Sequence, residues 1–471
     1  MNNPFQEASV NKKTLTLIGI YLGIIGDLLV SSGFSTMLPA AALEIGGKDI
    51  YPMANTIGGV LGISAMPLYG YLASRNPAIK RPLFAISLII GALVVFLRGT
   101  AQSMWGIIIP SAFWGAVSAA VFVLGFSMIS EMYDVKKAGV YLGIVGTVMS
   151  VALLIGPTLT GVLIDNVSWR MVNHAIWPVL AASGIVTLLG VKVSKEDAKT
   201  LAAASGAFDY VGAGAMTIFL AGIILFLSLG TSYVKFGTTG SYILLAIAVI
   251  GLTALILIIS RKKTAAIIPA TVLKDRNTLC LTVCNFMSNF SNMAVFFFMP
   301  AYVLYVMNGT AFQAGLATTI MAVPGLFLGP ILGKKIAEAR NARGVMTFGL
   351  TVRILVTLCF VLFLTPTISL WSIYALMLIS GIYSSQQGVT FSTAPQIQIK
   401  SSLRIMGNSI IQVSQNLGAA IAIAIYTLMI SMSGLVQGLK ISMILAIGAA
   451  VIAMIFGLML KTLEDPKVEA K

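Results

Sequence analysis

Asp27 is the one carboxylate near the middle of a long apolar run in this 471-residue chain. A charge at the centre of a bilayer costs on the order of 2.5–3.5 kcal/mol on insertion scales. A carboxyl placed there therefore answers to a partner, a water-filled cavity or a function. Gly19, Gly23, Asp27 and Ser31 recur every four residues, which sets them on one small, polar face of a helix. Such a carboxyl can exchange its proton for a cationic solute. The competing reading is a neutral, hydrogen-bonded group that only packs its helix.

Three later segments carry polar stripes at helical spacing: Asn285, Ser288, Asn289 and Asn292; Tyr383, Gln386, Gln387 and Thr390; Asn408, Gln412, Gln415 and Asn416. Amides turned to lipid would leave polar groups unsatisfied, so the stripes face protein or water. Interhelical hydrogen bonding, worth about 0.6 kcal/mol per pair, explains them as well as a polar cavity wall does. The cavity reading nominates Ser31, Trp114, Asn285, Asn289, Asn292, Gln412 and Asn416. Phe296, Tyr302, Met293 and Met299 can add an adaptable apolar wall or ordinary packing.

Other chemistries find no residues to carry them. No nucleophile–base set or metal-ligand cluster appears, so no enzyme activity, metal or cofactor is expected. Gly333-Lys334-Lys335 is not a phosphate loop, because Leu328 stands where its first glycine belongs and no Ser or Thr follows the lysine. Cys280, Cys284 and Cys359 fall in apolar segments without partner ligands and read as small core residues. His174, the single histidine, lies near the end of a segment and reads as an interfacial structural residue.

The elements that must position these residues are fourteen apolar segments: 14–36, 51–73, 83–100, 104–130, 138–164, 172–191, 208–231, 240–260, 278–307, 311–332, 345–364, 369–395, 403–430 and 440–461. Each is long enough for a helix to cross a hydrocarbon core, which takes roughly 20 residues. The chain is 58% hydrophobic and 10% charged, where a soluble protein carries about a quarter charged residues. The runs are continuous rather than alternating, which excludes a β-barrel. The expectation is an all-α integral membrane protein with 14 transmembrane helices and no sizeable soluble domain. Lys12, Lys13 and Ala40-Ala41-Ala42 imitate a cleavable leader, but the run between them is too long and holds Asp27, so it reads as a retained first span.

The net charge of +15 suggests nucleic acid, and its placement argues against that. With the spans counted from a cytoplasmic N-terminus, Lys48, Arg98, Arg170, Lys235 and Lys440 fall on the outer side and Arg353 within a span. The remaining Lys and Arg residues face the cytoplasm. This is the positive-inside pattern, and it suits contact with anionic inner-leaflet lipid. It predicts a plasma-membrane protein with both termini cytoplasmic.

Charged loops at 192–207 and 261–277 divide the spans into 6 + 2 + 6. Pro67-Leu68-Tyr69-Gly70 followed by Arg75-Asn76, and Pro330-Ile331-Leu332-Gly333 followed by Arg340-Asn341, stand at equivalent places of the two outer sixes. Such repeats build many secondary transporters. The division predicts a six-helix bundle at 1–200, two linking helices at 201–264 and a second bundle at 265–471.

Short motifs in order along the chain sharpen this reading. Gly156-Pro157 with Thr160-Gly161 resembles G-P-x-x-G-G. Trp169-Arg170 with Pro178, Phe208-Asp209-Tyr210-x-Gly212, Pro269-x-x-x-Leu273 and Ala314-Gly315-Leu316 with Pro324 follow. Together they resemble the fourteen-helix drug/proton antiporter branch of the major facilitator superfamily over essentially the whole chain. The resemblance implies two six-helix bundles with two extra helices between them. It implies proton-coupled export of small amphipathic compounds by alternating access, in a monomer whose partners are substrate, protons and lipid. It makes Asp27 the proton-coupling residue and Gly70, Arg75, Gly156, Pro157 and Gly161 the gating and antiporter-motif positions. It also sets Arg353 on a peripheral helix, bonded within its own bundle rather than to Asp27. The chain departs from the family at Ser74, Ser111 and Val30, where an Asp, an Arg and an Asp are usual, and Asp27 lies one turn before the usual acid. These departures support a second reading, a transporter of one specific metabolite that is uncoupled or importing.

Overall fold

The computed structural model describes residues 8–133, 135–192, 209–229, 234, 236–262, 274–400 and 404–462. No strand occurs among them. The helices are α1 (Val10–Ile45), α2 (Met53–Arg75), α3 (Lys80–Gly99), α4 (Met104–Met132), α5 (Val135–Asn166), α6 (Trp169–Leu189), α7 (Tyr210–Leu229) and α8 (Thr239–Lys262). They continue with α9 (Arg276–Phe296), the short α10 (Met299–Tyr305), α11 (Ala311–Ala339), α12 (Arg343–Phe363), α13 (Leu370–Gln398), α14 (Arg404–Ser433) and α15 (Leu435–Leu458). Among the described residues, 12 helical stretches are long and apolar enough to cross a membrane, α9 and α10 counting as one. The long helices α5 and α13 stand beside them. A helix satisfies its backbone internally, which is what lipid demands of a spanning segment. The chain is a multi-pass membrane protein.

Capping residues fix where several helices start. Ser168 accepts from the Arg170 N–H at 3.2 Å to open α6, and Asp275 accepts from the Thr278 N–H at 2.9 Å to open α9. Two expected boundaries differ. The run expected at 14–36 becomes a 36-residue helix that passes through Pro39 to Ile45. At 1.5 Å per residue it exceeds a hydrocarbon core of about 30 Å. The run expected at 278–307 divides after Phe296, because Pro300 lies in the first turn of α10 and has no N–H to return to the preceding turn.

Contacts gather the chain into two compact units. The first comprises Met1–Gly222, Ile247–Leu252 and Thr310–Gly315. Its core holds Ile20, Ile24, Phe84, Leu88, Val95 and Leu124. Small residues let its helices touch backbone to backbone, the usual packing device in lipid. A Cβ on Gly184 would lie 2.9 Å from the Ala85 carbonyl oxygen, closing α6 on α3. Ser183 donates to the Gly19 carbonyl at 2.6 Å, closing α6 on α1. Helices α7 and α8 cross where Gly222 meets Ala248 and Gly251 meets Phe219.

The second unit comprises Ile223–Ala246, Thr253–Gly309 and Leu316–Lys471. Here α9 packs on α14 and α15. Cys280, Leu281, Cys284, Met346 and Ile411 belong to one buried cluster. The Cys284 thiol donates to the Ala453 carbonyl at 3.2 Å, which gives it a packing role. The remaining apolar surface faces outward. Ile86, Ile90 and Leu93 on α3 and Ile243, Ile250 and Ile256 on α8 are exposed, as lipid-facing residues are.

Candidate functional site

Asp27 is 1% exposed on α1. Ser118 of α4 hydrogen-bonds its carboxyl group. Its Oδ1 has no partner. The carboxyl group thus makes one interhelical bond and keeps one oxygen in reserve. Gly19 and Gly23 are buried on the same face, against Thr187 and Ser183 of α6, as the fourfold spacing predicts. Ser31 is exposed instead. A helix turns 3.6 residues per turn, so a row spaced by four drifts about 40° at each step and leaves the buried face after three.

One buried charge on α3 escaped the sequence reading, which counted Arg98 only as an outer-side charge. Arg98 is fully buried, and its Nε, Nη1 and Nη2 have no hydrogen-bond partner. Its guanidinium lies 4.8 Å from the Phe34 ring centroid and 5.3 Å from that of Trp114. Phe34 belongs to α1 and Trp114 to α4, the helices that carry Asp27 and Ser118. Trp114 is 7% exposed, and its Nε1 also lacks a partner. The first unit thus holds a carboxyl, a guanidinium and an indole with unused polar atoms on three neighbouring helices. The signal in the sequence was an arginine within two residues of a helix end. Its inward turn is visible only in three dimensions.

The second unit satisfies its polar groups more fully. Arg353 is fully buried on α12. Its Nε donates to Ser291 Oγ at 3.1 Å, Nη1 donates to Ser380 Oγ at 3.1 Å, and Nη2 donates to the Ser291 carbonyl. This is the expected bonding within its own bundle. Asn285 donates to the Ile411 carbonyl of α14 at 2.8 Å, and Asn289 donates to the carbonyl and side-chain oxygen of Asn285 at 2.9 Å. Tyr383 donates to the Ser288 carbonyl at 2.8 Å, and Gln386 to Thr390 at 2.8 Å. Asn285 thus ties α9 to α14 and Tyr383 ties α13 to α9, while Asn289 and Gln386 bond within their own helices. Asn292 is 8% exposed and keeps an unpartnered Oδ1. Gln412 is exposed and Asn416 half-buried. Asp27, Ser31 and Trp114 thus belong to the first unit, and Asn285, Asn289, Asn292, Gln412 and Asn416 to the second.

The family model described as Major Facilitator Superfamily matches residues 20–423. The chain belongs to the Major Facilitator Superfamily. The relatives it matches include proteins named as a multidrug transporter, a multidrug resistance protein and an efflux pump. Multidrug transporter protein MdtP of Bacillus subtilis is 22% identical over 318 residues, covering 68% of this chain and 57% of that protein. Multidrug resistance protein 3 of the same organism is 24% identical over 383 residues, covering 80% and 71%. Efflux pump FUS6 of Gibberella fujikuroi is 23% identical over 292 residues, covering 61% and 52%. The chain thus spans little more than half the length of two of these relatives. Among solved structures, a peptide transporter POT shares the fold with a TM-score of 0.67 at 12% identity, covering 94% of this chain and 95% of that one. The nucleoside transporter NupG shares it with a TM-score of 0.63 at 12% identity, covering 94% and 98%.

The superfamily motifs now acquire physical content. A Cβ on Gly156 would overlap Ser32 Oγ of α1, and one on Gly161 would overlap the Ala311 carbonyl in the first turn of α11. Gly315 would likewise strike the Pro157 carbonyl. Thr310–Gly315 is grouped with the first unit, so α5 carries these contacts inside it. Asp165, at the end of α5, accepts from the Ala311 N–H at 2.8 Å and the Phe312 N–H at 2.7 Å. A carboxylate there completes the open N-terminus of α11.

Trp169 donates to Glu44 Oε2 at 2.9 Å, while Arg170 pairs with Glu44 and donates to the Ala101 carbonyl at 3.2 Å. This motif fastens the end of α1 to the α3–α4 turn and to α6. Asp209 accepts from the Gly212 N–H at 2.8 Å, and any side chain at 212 would strike that carboxylate. Ser111, where the proton-linked family has arginine, is fully buried and donates to its own helix at Ile107 O, 2.7 Å away. Gly70 has open space about it. Arg75 closes α2, and its side chain lies outside the described residues, as do Ser74's side chain, Phe208, Pro269, Leu273 and the charged loop 193–207.

Proposed function

We propose that the chain is a secondary active transporter that exports small amphipathic compounds by alternating access, coupled to protons through Asp27. The observation that carries this is Asp27 itself: a carboxyl 1% exposed on α1, held by Ser118 through one oxygen, with its other oxygen unpartnered. An isolated carboxylate is far costlier to bury than the neutral acid, so a group in this position gains or loses its proton as its surroundings change. The names of MdtP, Multidrug resistance protein 3 and FUS6 support drug-like cargo and an outward direction. In this reading the chain has fourteen spans, with bundles at 1–200 and 265–471 and linking helices at 201–264. Both termini face the cytoplasm of the cell membrane, and the monomer is the working unit. Tyr242, Ile243, Val249, Ile250 and Ile256 of α8 are exposed, which supports a lipid-facing place for α8. The test is reconstitution in liposomes with a panel of cationic, neutral and anionic amphipathic compounds, with and without a proton gradient. Accumulation that ignores the gradient for every compound sinks the coupling.

A second reading, an uncoupled or importing carrier of one metabolite, draws on Ser111. Its hydroxyl is turned back onto its own helix and offers no charge where proton-linked members have one. Transport of a single compound in that panel, with no response to pH, favours it.

A further inference from the structure

We propose that Arg98 is the anchor for the oxyanion head of amphipathic organic anions, with Phe34 and Trp114 holding its guanidinium in place. This rests on the reading of the chain as a carrier of amphipathic compounds and names the class of cargo. A guanidinium buried without a partner is among the least favourable arrangements a protein can hold. Arg98 is 0% exposed, and none of its three nitrogens has a hydrogen-bond partner. Arg353, the other fully buried arginine near a membrane-spanning core, shows how this fold satisfies such a group when packing is all that is needed: two serine hydroxyls and a carbonyl take its donors. Nothing of that kind surrounds Arg98.

What surrounds Arg98 is aromatic. Phe34 lies 4.8 Å and Trp114 5.3 Å from its Cζ to their ring centroids. Ring contacts stabilise a cation through the electron-rich face of the ring and consume none of the N–H donors. Arginine offers those donors as a planar fork that matches the two oxygens of a carboxylate or sulfonate. The Trp114 indole N–H, also unpartnered, adds one more donor. Val30, Val94 and Val117 belong with Trp114 to the same buried apolar cluster. An ion with an apolar body suits those walls better than a fully hydrated inorganic anion does.

The test uses the full chain in phosphatidylcholine nanodiscs and three probes with one aromatic body: 2-naphthoate, its neutral amide, and 2-naphthylmethylamine. Equilibrium binding to the unaltered protein should favour the anion. Arg98→Gln should weaken 2-naphthoate by about 10- to 100-fold while leaving the amine unchanged, and Arg98→Lys should fall between. Equal affinity for anion and amide overturns the proposal without any variant, so a failure of Arg98→Gln to fold leaves it testable. Unchanged naphthoate binding in Arg98→Gln also overturns it, as does displacement by chloride or phosphate at concentrations that match naphthoate. Transport separates the two readings. Proton-driven export of amines or amides with no anion binding defeats the Arg98 site and leaves the exporter standing. Arg98-dependent naphthoate binding without any proton-driven flux keeps the site and defeats the exporter.

Discussion

A Cβ on Gly62 would stand 2.9 Å from the Gly115 carbonyl oxygen, and one on Gly115 would overlap the carbonyl of Gly58. Helices α2 and α4 therefore touch through their backbones, with no side chain between them. Gly115→Val should force them apart. Overpacking of this kind costs about 1–3 kcal/mol or more, and a thermal melt of the purified protein should fall by several degrees. Gly70→Ala is the control, because nothing lies within 4 Å of a Cβ there. An unchanged melt for Gly115→Val would mean that α2 and α4 do not meet in this way.

The two motif glycines of α5 differ in what opposes them. Gly156 faces Ser32 Oγ, a side-chain atom that has no hydrogen-bond partner and is free to rotate away. Gly161 faces the backbone of Ala311 and Phe312, which cannot. Gly156→Ala should be tolerated and Gly156→Leu should not, whereas Gly161→Ala alone should impair transport while the protein still inserts. The check is flux per inserted molecule for the three variants. Equal behaviour of the two alanine variants would contradict the geometry.

Asp165 bridges two N–H groups, those of Ala311 and Phe312, with its two oxygens. Asparagine has one acceptor oxygen and would turn an NH2 group toward the second N–H. Asp165→Asn should therefore cost on the order of 1 kcal/mol of local stability, the usual worth of a cap with its charge at a helix N-terminus. Hydrogen exchange across 310–315 should quicken in the variant. Exchange as slow as in the unaltered chain would show that the carboxylate contributes nothing to α11.

Much of the fold was legible because lipid leaves a strong mark on sequence. Long apolar runs, and Asp27 as a lone carboxylate among them, need no third dimension to be seen. The two P-x-x-G stretches read as turns, but 67–70 lies inside α2 and 330–333 inside α11; both glycines have room about them, Gly70 open and Gly333 at ordinary contact distance from Val389. What stayed hidden depends on angles and on reach. Ser31 left the Asp27 face because a four-residue row drifts around a helix. Arg98 counted only as an outer-side charge because it sits at the end of α3, and only the fold shows its side chain turned inward, against Phe34 of α1 and Trp114 of α4. Asn285 read equally as wall or tie until Ile411 was placed opposite. Pro300 is visible in sequence, but the break after Phe296 depends on how the chain resumes beyond it.

Asp27 carries the coupling in the proposed mechanism, so its neutral isostere is the decisive variant. Asp27→Asn keeps the size of the side chain, and its amide oxygen still accepts from Ser118. It cannot ionise, so it has no proton to give up when substrate arrives. Uphill export driven by a pH gradient should be lost, while binding and downhill exchange of a neutral substrate persist. Asp27→Glu should restore part of the gradient-driven flux, since it returns an ionisable group at the cost of one extra methylene in a packed site. The comparison is made in liposomes with matched amounts of inserted protein, reading accumulation against a concentration gradient. If Asp27→Asn accumulates substrate as well as the unaltered chain, Asp27 is a packing residue bonded to Ser118, and the uncoupled carrier takes precedence.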